Sequence, residues 1–260
     1  MEVRQVVVSV ADVLRAPYSG AERLTQVLLG ENVKIEESYG QWFFVRAADG
    51  YHGWLTANSM GLYFTPGLAE LALFIRPRVI VQPVEGQLNE PCIVYCGTCL
   101  AVCGVMPPFI KVILPSGGYG WVLESCVKRY TQANGIPRAD RDQLLKLGKR
   151  FLGTPYLWGG ITAAGVDCSG LAFVLYRACG MQIPRDAHEQ FLRGKTVFAP
   201  NKGDLVFFSA AGTSLFPTHV GIFLGEDLFL HASSSFGGVV ISSLQDSFYK
   251  ERYLGARSLF

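Results

Sequence analysis

Three residues in this chain are of types that make a nucleophile and its base: Cys168, His219 and His231. Cys168 opens the run DCSGLAFVLYRACG, in which small and apolar residues recur at helical spacing up to a stop at Gly180. Asp167, or the residues just before it, is expected to cap that helix and place the thiol in its first turn. There the positive end of the helix dipole is expected to lower the thiol pKa and raise the fraction of thiolate, the form that attacks. Cys179, near the end of the same run, reads as a small core residue.

The histidines lie in HVGIFLGEDLFLHASS, two apolar β runs flanking Gly225, Glu226 and Asp227. A turn centred on Gly225 sets His219 directly opposite His231, about 5 Å apart at Cβ on one face. A one-residue slip would turn one of them to the other face. Side by side, they offer one imidazole as base for the thiol and a second to orient the first. The other two histidines are weaker candidates. His188 lies in the polar segment PRDAHEQ and His52 in a turn of the first half.

Cys92, Cys96, Cys99 and Cys103 have a spacing that invites a zinc or iron–sulfur reading. An internal repeat accounts for them otherwise. Val45–Leu55 (VRAADGYHGWL) matches Val112–Val122 (VILPSGGYGWV) without a gap at an offset of 67 residues. The same offset puts Cys96, Cys99 and Cys103 on Leu29, Asn32 and Glu36, ordinary turn and strand positions that call for no metal. Alternating apolar residues and Gly-rich turns make both units all-β.

Around these residues the elements fall into place. Residues 1–62 and 63–130 hold the two repeats, a polar linker KRYTQANGIPRAD follows Val127, and residues 131–260 carry the chemistry. A helix is expected from about Asp140 to Gly153, with Leu144, Leu145, Gly148, Phe151 and Leu152 on its apolar face. Half of the residues are hydrophobic and 17% charged, as in packed globular proteins. A net charge of +2 with no Lys/Arg block excludes a nucleic-acid partner. No apolar stretch reaches the roughly 20 residues that a membrane span needs. The N-terminus lacks the pattern of a secretory signal and seven cysteines make an odd set, so a cytoplasmic location is expected.

Tyr156 with WGG at 158–160, DCSG at 167–170, PRDAHEQ at 184–190, GDLVFF at 203–208, HVGIFLG at 219–225 and LFLHA at 228–232 resemble, in this order, the NlpC-type cysteine peptidases. The repeats, with a strand, a DG or SGG turn and a GW pair, resemble bacterial SH3-like domains. The resemblance implies an α+β protein: a papain-like catalytic domain, its cysteine on a helix and its histidines on an antiparallel sheet, preceded by two small all-β SH3-like barrels. It implies hydrolysis of bacterial cell-wall peptides between γ-D-glutamate and a diamino acid, without a cofactor. The arrangement is similar to the γ-D-glutamyl-L-diamino acid endopeptidases, which take peptides with a free N-terminal L-alanine. By that likeness Glu22, Tyr51 and Asp186 hold the substrate ammonium, Ser169 contacts the D-glutamate, and Asp167 is a further substrate-binding residue. The oxyanion is met by the Cys168 N–H and the Tyr156 hydroxyl. If both ammonium-binding carboxylates are buried, acetylating the amine is expected to cost about three orders of magnitude.

Two departures stand out. Ala187 replaces a serine common in relatives, and Gly118 stands where the second repeat would match Tyr51. Two other readings stay open: a cell-wall-binding module with an inert third domain, and a thiol acyltransferase or amidase on a papain-like fold.

Overall fold

Alternation of apolar and polar residues, broken by glycine turns, folds the first repeat into seven strands. They are β1 (Val3–Val6), β2 (Val10–Leu14), β3 (Arg23–Leu28), β4 (Asn32–Tyr39), β5 (Trp42–Arg46), β6 (His52–Thr56) and β7 (Met60–Leu62). The second repeat gives β8 (Glu70–Phe74), β9 (Arg78–Pro83), β10 (Cys92–Tyr95), β11 (Cys99–Met106), β12 (Phe109–Ile113), β13 (Tyr119–Leu123) and β14 (Val127–Thr131). The computed structural model describes residues 2–63, 70–84, 91–210 and 216–260. The chain divides into two compact units, 1–137 and 138–260.

Within the first unit the repeat is complete. The first sheet runs β3-β2-β6-β5-β4-β1-β7, and the second β10-β9-β13-β12-β11-β8-β14, the same order seven strands on. Each sheet closes around its own apolar core: Val13, Val33, Val45 and Leu55 in one, Phe74, Leu100, Ile110 and Val112 in the other. Leu29 follows β3 yet packs in the second core. Arg129 differs from expectation. It lies not in a linker but in β14, paired along β8 and held by Glu70 at 2.8 and 2.9 Å and Glu124 at 2.8 Å. The ladder's backbone bonds and these ion pairs hold a polar sequence as strand.

The second unit is an antiparallel sheet with helices. Its elements are α1 (Arg141–Lys149), β15 (Ile161–Thr162), β16 (Gly165–Val166), α2 (Cys168–Ala178), α3 (Ala187–Arg193), β17 (Lys195–Val197), β18 (Leu205–Ser209), β19 (Pro217–Gly225), β20 (Leu228–Ser233), β21 (Gly238–Ser243), α4 (Ser247–Lys250) and β22 (Tyr253–Ser258). The sheet order is β17-β22-β18-β19-β20-β21, and α2 packs on β19 and β20. Asp140 caps α1 by accepting from the Gln143 N–H at 2.7 Å. The helix stops at Lys149, short of Gly153. Leu152 is therefore exposed, while Leu144, Leu145, Gly148 and Phe151 are buried.

The β19–β20 hairpin turns on Glu226 and Asp227, both at positive φ, and not on Gly225. Ile222 faces Leu230 and Phe223 faces Phe229. Continued along the strands, that register puts Gly221, not His219, opposite His231. The displacement is two residues, so side-chain parity survives. Both histidines keep one face and stand diagonally.

Candidate active site

Asp167 caps α2 by accepting from the Gly170 N–H at 2.6 Å, which fixes Cys168 as the first residue of the helix. A side chain at Gly170 would fall on the Gly160 carbonyl, so the approach of the WGG loop to this helix requires glycine there. The sulfur of Cys168 receives the backbone N–H of Val220, the residue after His219. The thiol is nonetheless not acidified. Burial first, and the Asp167 carboxylate next, push its pKa up to about 12 against the Val220 N–H, Arg185 and the Ser169 N–H. This reverses the direction expected from helix position alone.

His219 and His231 meet at 2.8 Å, Nε2 to Nδ1. The chain continues from His231 Nε2 to Ser242 Oγ at 3.0 Å, with the Tyr249 hydroxyl at 3.4 Å. Burial lowers the pKa of His219 to about 4 and that of His231, which is 0% exposed, to about 3. Both are neutral at pH 7. The thiol and its neighbouring imidazole therefore rest uncharged, and His219 Nδ1 is the ring nitrogen not engaged by His231. Tyr156 lies within electrostatic reach of Cys168; burial, then that sulfur, raises its pKa and keeps the phenol protonated as a donor.

Asp167 and Ser169 are buried and engaged within the protein. Asp167 accepts from Gly159 N at 2.8 Å and from Arg185 at 2.6 and 3.0 Å. The Ser169 hydroxyl accepts from Arg185 at 2.8 Å and lies 3.3 Å from Asp167. These contacts make Asp167 an interior anchor of the helix start. Asp186 precedes α3 and acts on Arg185. Glu22 and Tyr51 belong to the first unit. Glu22 pairs with Arg15 at 2.6 Å and is 41% exposed, and Tyr51 lies within electrostatic reach of the same guanidinium. His188 stacks on Phe216, and His52 sits 3.8 Å from Glu36.

The sequence reading missed Arg185, Ser242 and Tyr249. Arg185 stands inside a quoted motif but reads as one more polar residue there. Finding Ser242 needs the next strand, where Phe229 faces Ser242 and His231 faces Val240. The cysteines of the second barrel turn to separate partners: Cys103 Sγ to the Lys111 carbonyl at 3.5 Å, and the Tyr130 hydroxyl to Cys99 at 3.4 Å. Among the described residues no three His, Cys, Asp or Glu converge as metal ligands.

Comparison with known proteins bears on this geometry. The model of the NlpC/P60 family matches residues 153–258, and that of the bacterial dipeptidyl-peptidase Sh3 domain matches residues 13–60. A gamma-D-glutamyl-L-lysine dipeptidyl-peptidase of Bacillus cereus is 30% identical, over 90% of this chain and 74% of its own. One from Bacillus subtilis is 28% identical, over 91% and 81%. The crystal structure of an NlpC/P60 family protein from Bacillus cereus superposes with a TM-score of 0.91 at 27% identity, covering 98% of this chain and 99% of that one. A half-buried thiol at the start of a helix that packs on the two strands carrying a pair of joined histidines, in the segment that the family model matches, makes this chain a member of the NlpC/P60 family of cysteine peptidases.

Proposed function

We propose that the protein hydrolyses cell-wall peptides at the bond between γ-D-glutamate and a diamino acid, releasing an N-terminal L-Ala-γ-D-Glu. The observation that carries the chemistry is the 2.8 Å contact of His219 with His231, with the backbone N–H of Val220, the residue after His219, acting on the Cys168 sulfur. With Nε2–H of His219 donating to His231 Nδ1, and Nε2–H of His231 donating to Ser242, the lone pair of His219 Nδ1 is left to take the thiol proton. The thiolate forms as it attacks the carbonyl, the oxyanion meets the Cys168 N–H and the Tyr156 hydroxyl, and His219 returns the proton to the leaving amine. Water then repeats the sequence on the thioester.

The names of the relatives at 30% and 28% identity support the substrate class, since a dipeptidyl-peptidase counts from a free N-terminus. In this reading Glu22, Tyr51 and Asp186 bind the ammonium, and the substrates are free peptides more than intact wall. Because Glu22 is partly exposed and already carries Arg15, an unanswered carboxylate there costs less than a buried one. Blocking the amine is accordingly expected to cost about one to two orders of magnitude, since each ~1.4 kcal/mol is tenfold.

The test compares L-Ala-γ-D-Glu-L-Lys and L-Ala-γ-D-Glu-diaminopimelate, free and N-acetylated, by initial rates. Cys168→Ala should abolish cleavage, a loss on the order of a millionfold. Glu22→Gln should slow the free peptides and narrow the gap to the acetylated ones. Equal wild-type rates on free and acetylated peptide would remove the amine requirement, and cleavage by Cys168→Ala would remove the mechanism.

A further inference from the structure

Arg185 is 3% exposed and has no role in the reaction as derived. Its guanidinium straddles Asp167, Nη1 at 3.0 Å from one oxygen and Nη2 at 2.6 Å from the other, while Nη1 also donates to Ser169 Oγ. Asp167 is the residue before Cys168 and is itself bound to the N–H groups of Gly159 and Gly170. One carboxylate thus ties together the WGG loop, the first turn of α2 and the segment before α3. A cap needs an oxygen there but not a full negative charge, and such a charge beside a sulfur that must become an anion opposes the reaction.

We infer that Arg185 is a positioning residue of the peptidase, cancelling the Asp167 charge beside Cys168 so that the carboxylate can anchor the nucleophile without repelling its thiolate. The inference rests on Cys168 being the nucleophile. The groups around it are accounted for. Asp167 and Arg185 act on the sulfur with opposite signs, and Asp167 acts on His219. The Tyr156 phenol faces Cys168, His231 is neutral against His219, and α3 brings Asp186, His188 and Glu189, of which Asp186 bears on Arg185. Burial works against the Arg185 cation, and Asp167, with Asp186 and Cys168, more than offsets it.

The experiment alkylates the full-length protein with iodoacetamide at pH 8 and follows Cys168 by peptide mass spectrometry, which separates it from the other cysteines. It needs no substrate, so its failure is distinct from failure of the proposed specificity. Arg185→Gln should slow alkylation of Cys168 about tenfold or more, the effect of one pKa unit, and Asp167→Asn should quicken it. Arg185→Lys should stay near wild type. A merely structural role would loosen the site and quicken both Gln and Asn variants, which would overturn the inference. Arg185→Gln also leaves a buried carboxylate unpaired, which is destabilising in itself. The double variant Asp167→Asn/Arg185→Gln then decides, because it carries neither charge. It should fold and be alkylated near the wild-type rate. A double variant that is also unfolded would overturn the inference, since the side chains and not their charges would then hold the site.

Discussion

His219 and His231 take up no proton in the folded protein until about pH 4 and about pH 3, whereas in an unfolded chain each does so near pH 6.5. Between those limits the unfolded chain binds protons that the folded one refuses. Stability is therefore full above pH 6.5 and falls as pH drops, by up to about 1.4 kcal/mol per pH unit for each histidine. Denaturant midpoints of the wild type and of His231→Gln between pH 7 and pH 5 check this. The wild type should lose stability over that range, and the variant should lose less. A flat wild-type profile would mean that the histidines take up protons in the folded protein as readily as in the unfolded chain. Cys168, His219 and His231 could be read from the sequence because a cysteine at a helix start and two histidines astride a turn are local patterns. Arg185, Ser242 and Tyr249 could not. Their roles arise from burial and from strands that meet only in the folded sheet.

The helix start is set by contact between elements. Gly170 leaves no room for a methyl group against the Gly160 carbonyl, so Gly170→Ala must push the WGG loop away from α2. It is expected to destabilise the second unit by about 2–4 kcal/mol, in the range of overpacking and cap loss together. Thermal unfolding should show a lower Tm, and peptidase activity should fall with it as Tyr156 moves from the thiol. Capping residues and apolar spacing made α1 and α2 legible, because helical order depends on near neighbours. Strand registers were harder. The hairpin was found but its turn was misplaced by one residue, since Glu226 and Asp227 adopt a conformation that usually marks glycine. The histidine pairing survived only because the resulting displacement was an even number of residues.

At the scale of the molecule, the 67-residue offset extends over every strand of the two barrels, well past the eleven residues that disclosed it. The offset also recast the cysteine cluster as positions in a barrel. Replacing Cys99 and Cys103 with Ser should leave the peptidase rate within about twofold, as expected of substitutions outside the site. A large loss accompanied by release of metal would reverse that assignment. The two barrels are alike in topology but not in what they give each other. Leu29 of the first completes the interior of the second, and its counterpart Cys96 is a smaller side chain. A duplicated module that lends a residue to its copy can no longer be cut away without leaving a hole in what remains. The tandem is thus polar, with a donor end and a receiver end, and an array extended by a third copy would need a larger residue at position 96 before it could grow.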